Sequence, residues 1–375
     1  MRKTVFKLHL VTATALIIDL IIALSICEIY IRLFIPVENI SYYVDDVIGV
    51  RYSPNQRSVA HTQPGYTNTA TTNSFGFHDI ERNYTVKSDD AILVHVYGDS
   101  IVAGMGVDIS NTIPSEIERR LNDSYNQKLE FKVANMAAGS ESTCGQLMTY
   151  RSIGIFQSPD IVMLYFMGDF TDNVKALSGK KHTPYFLLDD KGNLVFIPPV
   201  PKNENRIMAN LKRKWFMTYR LFANKLLESK SYNDFILAKK AILAYFNSKN
   251  KSEKSFTKNY MDLNKEIYIN VSWPVTLALI KQFHSETQAN GSQFIVVDGR
   301  PFIKPITDNY SNDDLKTFCN SYSIPYIDAY KEYERLQCSE NSDRYFLNDG
   351  HPTALGNELL ANYIVDRLIP IATNR

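Results

Sequence analysis

The stretch Ile92-Leu-Val-His-Val-Tyr-Gly-Asp-Ser-Ile-Val-Ala-Gly-Met-Gly106 decides how the rest of the chain is read. Its apolar first half stops at Gly98-Asp99-Ser100 and passes into small residues, the pattern of a buried strand, a tight turn and the first turn of a helix. A serine there stands at the carboxyl end of a strand, where ligands bind in open α/β sheets, with the positive end of a helix dipole beneath it. Ser100 is therefore a candidate nucleophile. Gly, Asp and Ser are also what ordinary turns and helix caps use, so this stretch alone leaves the catalytic and the purely structural reading open.

Near the other end of the chain, Asp349-Gly-His-Pro352 lies just before the helical pattern Thr353-Ala-Leu-Gly-Asn-Glu-Leu-Leu-Ala-Asn-Tyr-Ile364. His351 and Asp349 supply a base and a carboxylate to orient it, the two groups that an activated serine needs.

Tyr97-Gly-Asp-Ser-Ile-Val-Ala-Gly-Met-Gly-Val107 and Asp349-Gly-His-Pro-Thr-Ala-Leu-Gly356, with the blocks between them, resemble the SGNH (GDSL-like) hydrolase superfamily from about Asn73 to the C-terminus. The resemblance implies a three-layer α/β/α sandwich on a five-stranded parallel sheet, the flavodoxin-like SGNH hydrolase fold, and an enzyme that hydrolyses or transfers acyl esters. It implies Ser100 as nucleophile, His351 as base and Asp349 as the group that fixes the imidazole tautomer. In other relatives the acid lies three residues before the histidine; here that position is Asn348, a neutral side chain that would stabilise an imidazolium poorly. The implied oxyanion donors are the backbone N–H groups of Ser100 and Gly139, with Ser140 as the alternative to Gly139.

Where relatives carry a Gly-x-Asn-Asp block, this chain has Gly168-Asp169-Phe170-Thr171-Asp172-Asn173. The third donor, an Asn side chain, is thus replaced by Gly168 or deleted. Losing one such donor typically costs about 2.7–4 kcal/mol. Either Asn173 or a backbone N–H takes its place, or the enzyme is slow, or hydrolysis is not its reaction.

The 375 residues carry 41 Lys and Arg against 40 Asp and Glu, a near-neutral balance that gives no reason to expect nucleic acid as partner. The chain opens Met-Arg-Lys-Thr-Val-Phe-Lys7 and turns apolar from Leu8 to Ile35, broken chiefly by His9, Thr12, Thr14, Asp19 and Ser25. This reads as a transmembrane helix over 8–35 behind a cytoplasmic tail of residues 1–7, since about 20 residues span the hydrocarbon core. Asp19 opposes insertion by about 2.5–3.5 kcal/mol. A cleaved signal peptide ranks lower because no small-x-small cleavage site follows the apolar region. Arg2, Lys3 and Lys7 keep the N-terminus cytoplasmic, so the rest of the chain is expected to be extracytoplasmic, periplasmic or on the cell surface.

Residues 36–90 are polar and turn-rich and read as an irregular connector, ending in Asn73-Ser-Phe-Gly-Phe-His-Asp79, which the resemblance assigns to packing against the domain. The hydrolase-like domain then runs over 91–375. Its strands are expected at Ile92–Tyr97, Phe131–Ala137, Ser158–Met167, Ser292–Asp298 and Ile324–Ala329, and unbroken apolar strands alternating with helices argue for a parallel sheet covered on both faces. An insertion at about 174–271 opens with a β-hairpin over Pro184–Ile197 and continues as a Lys- and aromatic-rich helical segment. It reads as a solvated subdomain by default, or as a lid or acceptor surface.

His95, in the middle of an apolar strand, reads as a core histidine. Of the four cysteines, Cys319 and Cys338 are the pair able to meet in an oxidising compartment; two unpaired thiols are an equal reading. No close His pair, third dinucleotide glycine or Walker-type Gly-Lys-Ser/Thr occurs, so no metal or cofactor is expected. The reading these residues favour is a serine esterase that removes small O-acyl groups, acetyl among them, from a glycan or envelope polymer. An O-acyltransferase using the same residues with a sugar hydroxyl as acceptor, and an SGNH-fold binding or assembly protein without activity, are the alternatives.

Overall fold

A computed structural model of the chain describes residues 2–34, 42–63, 66–82, 91–104, 106–124, 130–139, 141–168, 170–174, 182–200, 271–300, 312–347 and 349–373. By internal contacts, residues 40–202 with 259–375 form one unit and residues 1–39 with 203–258 another.

The first unit is built on runs of β-branched and aromatic residues that pair as parallel strands. β5 (Ala91–Tyr97), β6 (Glu130–Asn135), β7 (Ile161–Phe166), β10 (Gln293–Asp298) and β11 (Tyr326–Ile327) lie in the order β11-β10-β7-β5-β6, every pair parallel. All six residues of β7 are buried, as a strand covered on both faces requires. Ile161, Met163 and Tyr165 join the core on one face, and Val162, Leu164 and Phe166 the core on the other.

The first face is covered by α3 (Ile113–Ser124) and α9 (Ala354–Thr373), through Ile117, Leu121, Leu360 and Ile364. The second is covered by α4 (Thr143–Ser152) and α5 (Trp273–Ala289), through Leu147, Leu279, Ile280 and Phe283. Each such side chain contributes about 1.5–3 kcal/mol on full burial. The result is the expected three-layer α/β/α sandwich on a five-stranded parallel sheet.

The segment read as an irregular connector contains strands instead. β1 (Tyr42–Asp45) and β2 (Gly49–Tyr52) form one antiparallel hairpin; β3 (Arg57–Gln63) and β4 (Tyr66–Thr71) form another. Thr and Asn alternation with Pro nearby hides such strands, because they carry little apolar signal. The block Asn73–Asp79 then folds into the sandwich: Asn73 Oδ1 accepts from Phe75 N–H and Phe77 N–H at 3.0 Å each, and Phe77 is buried. Asp79 Oδ2 accepts from Asn135 N–H at 3.0 Å. The expected hairpin of the insertion is present as β8 (Tyr185–Leu188) and β9 (Leu194–Ile197); its expected helical part, 201–270, lies outside the described residues.

In the second unit the N-terminal segment is a helix, α1 (Arg2–Phe34). The transmembrane expectation for 8–35 is not met in the described residues, among which no helix is long and apolar enough to cross a membrane. Asp19 and Glu28 interrupt the apolar character of α1. The Cys319–Cys338 pairing does not form: both are free thiols, Cys319 buried and Cys338 exposed.

Asn135 ends β6 and locks the Asn73–Asp79 block to the sheet. Its Nδ2 donates to the carbonyls of His78 and Val102, at 3.1 Å each, and its Oδ1 accepts from Ala137 N–H at 3.2 Å. Asn135→Ala leaves these buried groups unpaired and is expected to destabilise the domain by about 2–4 kcal/mol, read as a lower midpoint in urea denaturation.

Candidate active site

Ser100 owes its place to the end of β5. A Cβ on Gly98 would run into the Val102 side chain, so only glycine lets the chain turn there. Asp99 caps the short helix α2 (Ser100–Ala103), its Oδ1 accepting from Ile101 N–H at 2.9 Å, and Gly104 at φ +75° ends it. Val96 pairs with Asn135 on one side and Met163 on the other. Ser100, Gly139 and Met167 each follow four residues later, where the three chains leave the carboxyl edge of the sheet.

His351 is set by a tight turn. Gly350 takes φ +85°, a region that favours glycine, and its N–H donates to Leu347 O at 2.9 Å. Leu347 N–H donates to His351 O at 2.7 Å, and Tyr333 hydroxyl donates to Gly350 O at 3.0 Å. Thr353 Oγ1 then accepts from Gly356 N–H at 3.2 Å, capping α9. The half-buried turn brings His351 Nε2 to 2.9 Å from Ser100 Oγ, across 251 positions of sequence.

For Nε2 to accept the serine proton, Nδ1 must carry the ring proton. Asp349 Oδ1 stands 3.1 Å from Nδ1, but it is not aligned as a hydrogen-bond acceptor for it. The same oxygen accepts from His351 N–H at 3.1 Å, and the Asp349 side chain is 62% exposed. The carboxylate is therefore within electrostatic reach of the imidazole while mainly shaping the turn. Asn348, the alternative orienter, lies outside the described residues.

The expected oxyanion donors fare unevenly. Gly139 N–H donates to the Tyr52 hydroxyl at 2.9 Å. Ser140 lies outside the described residues. Asn173 does not stand in for the missing donor: it is fully buried, its Oδ1 accepts from Cys144 N–H at 3.0 Å, and its Nδ2 donates to Thr276 Oγ1 at 2.9 Å. Both ends of its amide are used to tie α4 to α5, which overturns its assignment to the oxyanion hole. Gly168 sits at φ +88°, and a Cβ there would lie 3.3 Å from Arg300 Cγ and from Phe170 Cε2. Arg300, which closes this side, is held by a buried bidentate pair with Asp298, Nε to Oδ1 at 2.8 Å and Nη2 to Oδ2 at 2.6 Å.

Three residues around the 137–141 loop carry no signal in sequence pattern. Tyr52 is fully buried, and burial holds its phenol protonated, far above the ordinary range. Arg51, next to it, is buried over the Phe77 ring at 4.6 Å and donates from Nη2 to Phe75 O at 3.1 Å. Glu141 accepts from Thr149 hydroxyl at 2.6 Å, and burial pushes its carboxyl up to about 7 against the opposing pull of Thr149 and the Arg51 charge. His95 behaves as a core residue: burial drives its pKa down to about 3, so it stays neutral. Among the described residues no group of three or more His, Cys, Asp or Glu could hold a metal ion.

No family model matches the chain, and no curated protein does. Solved structures are similar to it at low identity. They include the psychrotrophic esterase EstA from Pseudoalteromonas sp., 11% identical over 76% of this chain and 99% of that one, with a TM-score of 0.40. A lipase/acylhydrolase from Enterococcus faecalis is 13% identical over 75% and 96%, at 0.37. An acetyl xylan esterase is 12% identical over 73% and 98%, also at 0.37. Likenesses this distant assign no reaction to the chain, which must be argued from its own side chains.

Glu141 makes the fold pH-sensitive with a definite sign. Its native pKa of about 7 lies above the ordinary glutamate value of 4.5, so the native state binds the proton more tightly. Its contribution is fully present below about pH 4.5 and is lost as pH rises through 7. Glu141→Gln removes this loss: relative to wild type, the variant should gain about 3 kcal/mol of stability between pH 4.5 and pH 8. Denaturation at the two pH values measures it, and a pH-independent difference would contradict the assignment.

Proposed function

We propose that the chain is a serine ester hydrolase of the SGNH (GDSL-like) type, acting outside the cytoplasm on small O-acyl groups, acetyl among them, carried by a glycan or envelope polymer. The observation that carries the reading is the 2.9 Å contact between Ser100 Oγ and His351 Nε2 at the carboxyl edge of a parallel sheet. In the reaction, Ser100 Oγ attacks the ester carbonyl while His351 Nε2 takes its proton, then returns it to the leaving alcohol oxygen. Water attacks the acyl-Ser100 ester in the second half, with His351 again the base. Asp349 favours the transient imidazolium electrostatically, less strongly than a buried carboxylate would.

A fluorophosphonate probe tests the reading without knowledge of substrate. The full-length protein should label, Ser100→Ala should abolish labelling, and His351→Ala should slow it by at least about 100-fold. Unlabelled wild type would favour the binding or assembly protein. If the labelled enzyme acylates an added glycan instead of releasing free acid, the reaction is transfer to a sugar hydroxyl.

Attachment to the membrane through α1 belongs to the same proposal. Ile17, Ile18, Leu20, Ile21 and Ile22 are each at least half exposed and spread over about 200° of the helix circumference, a broad apolar face that needs lipid or a partner to cover it. The full chain should sediment with membranes and resist carbonate extraction, with protease added outside reaching the domain. A chain lacking residues 1–39 that still sediments would count against this helix as the anchor.

A further inference from the structure

The loop that follows β6 is gripped from outside the α/β sandwich. Tyr52 ends β2, a hairpin strand 87 positions upstream, and its hydroxyl accepts the Gly139 N–H at 2.9 Å. The fit is close on that side. A Cβ on Gly139 would lie 2.5 Å from Tyr52 Oη but 3.4 Å from the ring carbon Cζ that bears it. The hydroxyl, and not the ring, is what requires glycine here. Tyr52 itself is fully buried and its ring packs at 5.1 Å from that of Tyr42 across the hairpin. Gly139 in turn lies in the loop that leaves β6 four residues after Asn135, whose partner on the neighbouring strand is Val96, four residues before Ser100.

We propose that Tyr52 is a positioning residue that controls the Gly139 N–H: its hydroxyl holds this donor in the resting enzyme, and the substrate's carbonyl oxygen takes it over as negative charge develops. This rests on the serine ester hydrolase reading. An N–H has one proton to give, and a neutral phenol oxygen is a weaker acceptor than an oxyanion, whose charge-assisted bonds are roughly twice as strong. The exchange is therefore unfavourable for a ground-state carbonyl and favourable in the transition state. Only the difference between the two acceptors accelerates the reaction. Tyr52 thus lowers the yield of a donor in a site where Gly168 already replaces an expected one.

Tyr52→Phe removes the competing oxygen and keeps the ring. We expect kcat for an activated acetyl ester to rise about two- to tenfold, the range set by one neutral hydrogen bond, with KM nearly unchanged, while Tm falls because a buried bond is lost. A purely structural tyrosine would lower both. Gly139→Ala should lower Tm in the wild-type background and lower it much less in the Tyr52→Phe background, because the closest obstacle is then gone. A Tyr52→Phe enzyme whose kcat is equal to or below wild type, with Ser100 still labelled by fluorophosphonate, overturns the proposal. Wild type with no Ser100-dependent hydrolysis or labelling overturns the hydrolase reading and this proposal with it, an outcome told apart by the labelling alone.

Discussion

Parallel pairing of β5 with β6 on one side and β7 on the other is the constraint on which the site depends. The register puts Val96 opposite both Asn135 and Met163, so three neighbouring chains leave the sheet at its carboxyl edge. Each then turns through small residues, Gly98, Gly139 and Gly168. Two of these turns are dictated by neighbours: Val102 excludes a side chain at Gly98, and Tyr52 at Gly139. A slip of one residue in any of the three strands would turn its alternate side chains to the wrong face of the sheet, and the burial of both faces of β7 forbids it.

Covering that edge requires polar groups to be buried, and the chain does so by pairing them. Asp298 and Arg300 meet in a bidentate pair to which Tyr326 adds a hydrogen bond at 2.7 Å. Asn173 joins two helices with both ends of its amide. Asp79 and Arg82 pair at 3.0 Å, and Arg82 reaches Glu118 at 2.7 Å. Removing one partner of such a pair leaves a buried charge or donor uncompensated, which is far more costly than the pair is stabilising. These networks make the edge rigid, and rigidity is what an arrangement depending on a 2.9 Å contact between distant residues needs.

The N-terminal segment changes the boundary of the working domain. Its hairpins and the Asn73–Asp79 block contribute Arg51, Tyr52, His78 and Asp79 to the interior, and Tyr52 reaches a backbone donor of the loop beside Ser100. The unit that positions the chemistry therefore begins near residue 40, well before the first strand of the sheet. An influence on the β1–β2 hairpin would reach the loop after β6 through the hydrogen bond between Tyr52 and Gly139.

The sequence by itself determined the parallel sheet, the C-terminal helix, the β8–β9 hairpin and the partnership of Ser100 with His351. Apolar runs such as Ile161–Phe166 announce strands buried on both faces, and the Gly98-Asp99-Ser100 and Asp349-Gly-His351 blocks are local in the chain, so their chemistry can be read in order. Strands β1 to β4 escaped because Thr- and Asn-rich segments carry no apolar period. Which groups meet across the fold was decided only by tertiary structure. Asn173 looked available for the oxyanion, yet the approach of α4 and α5 consumes both ends of its amide; Gly139 looked like an open donor, yet Tyr52 lies against it. Contacts between residues 87 or 103 positions apart leave no trace in local composition or period, because they exist only once the sheet has set the height and direction from which each side chain arrives.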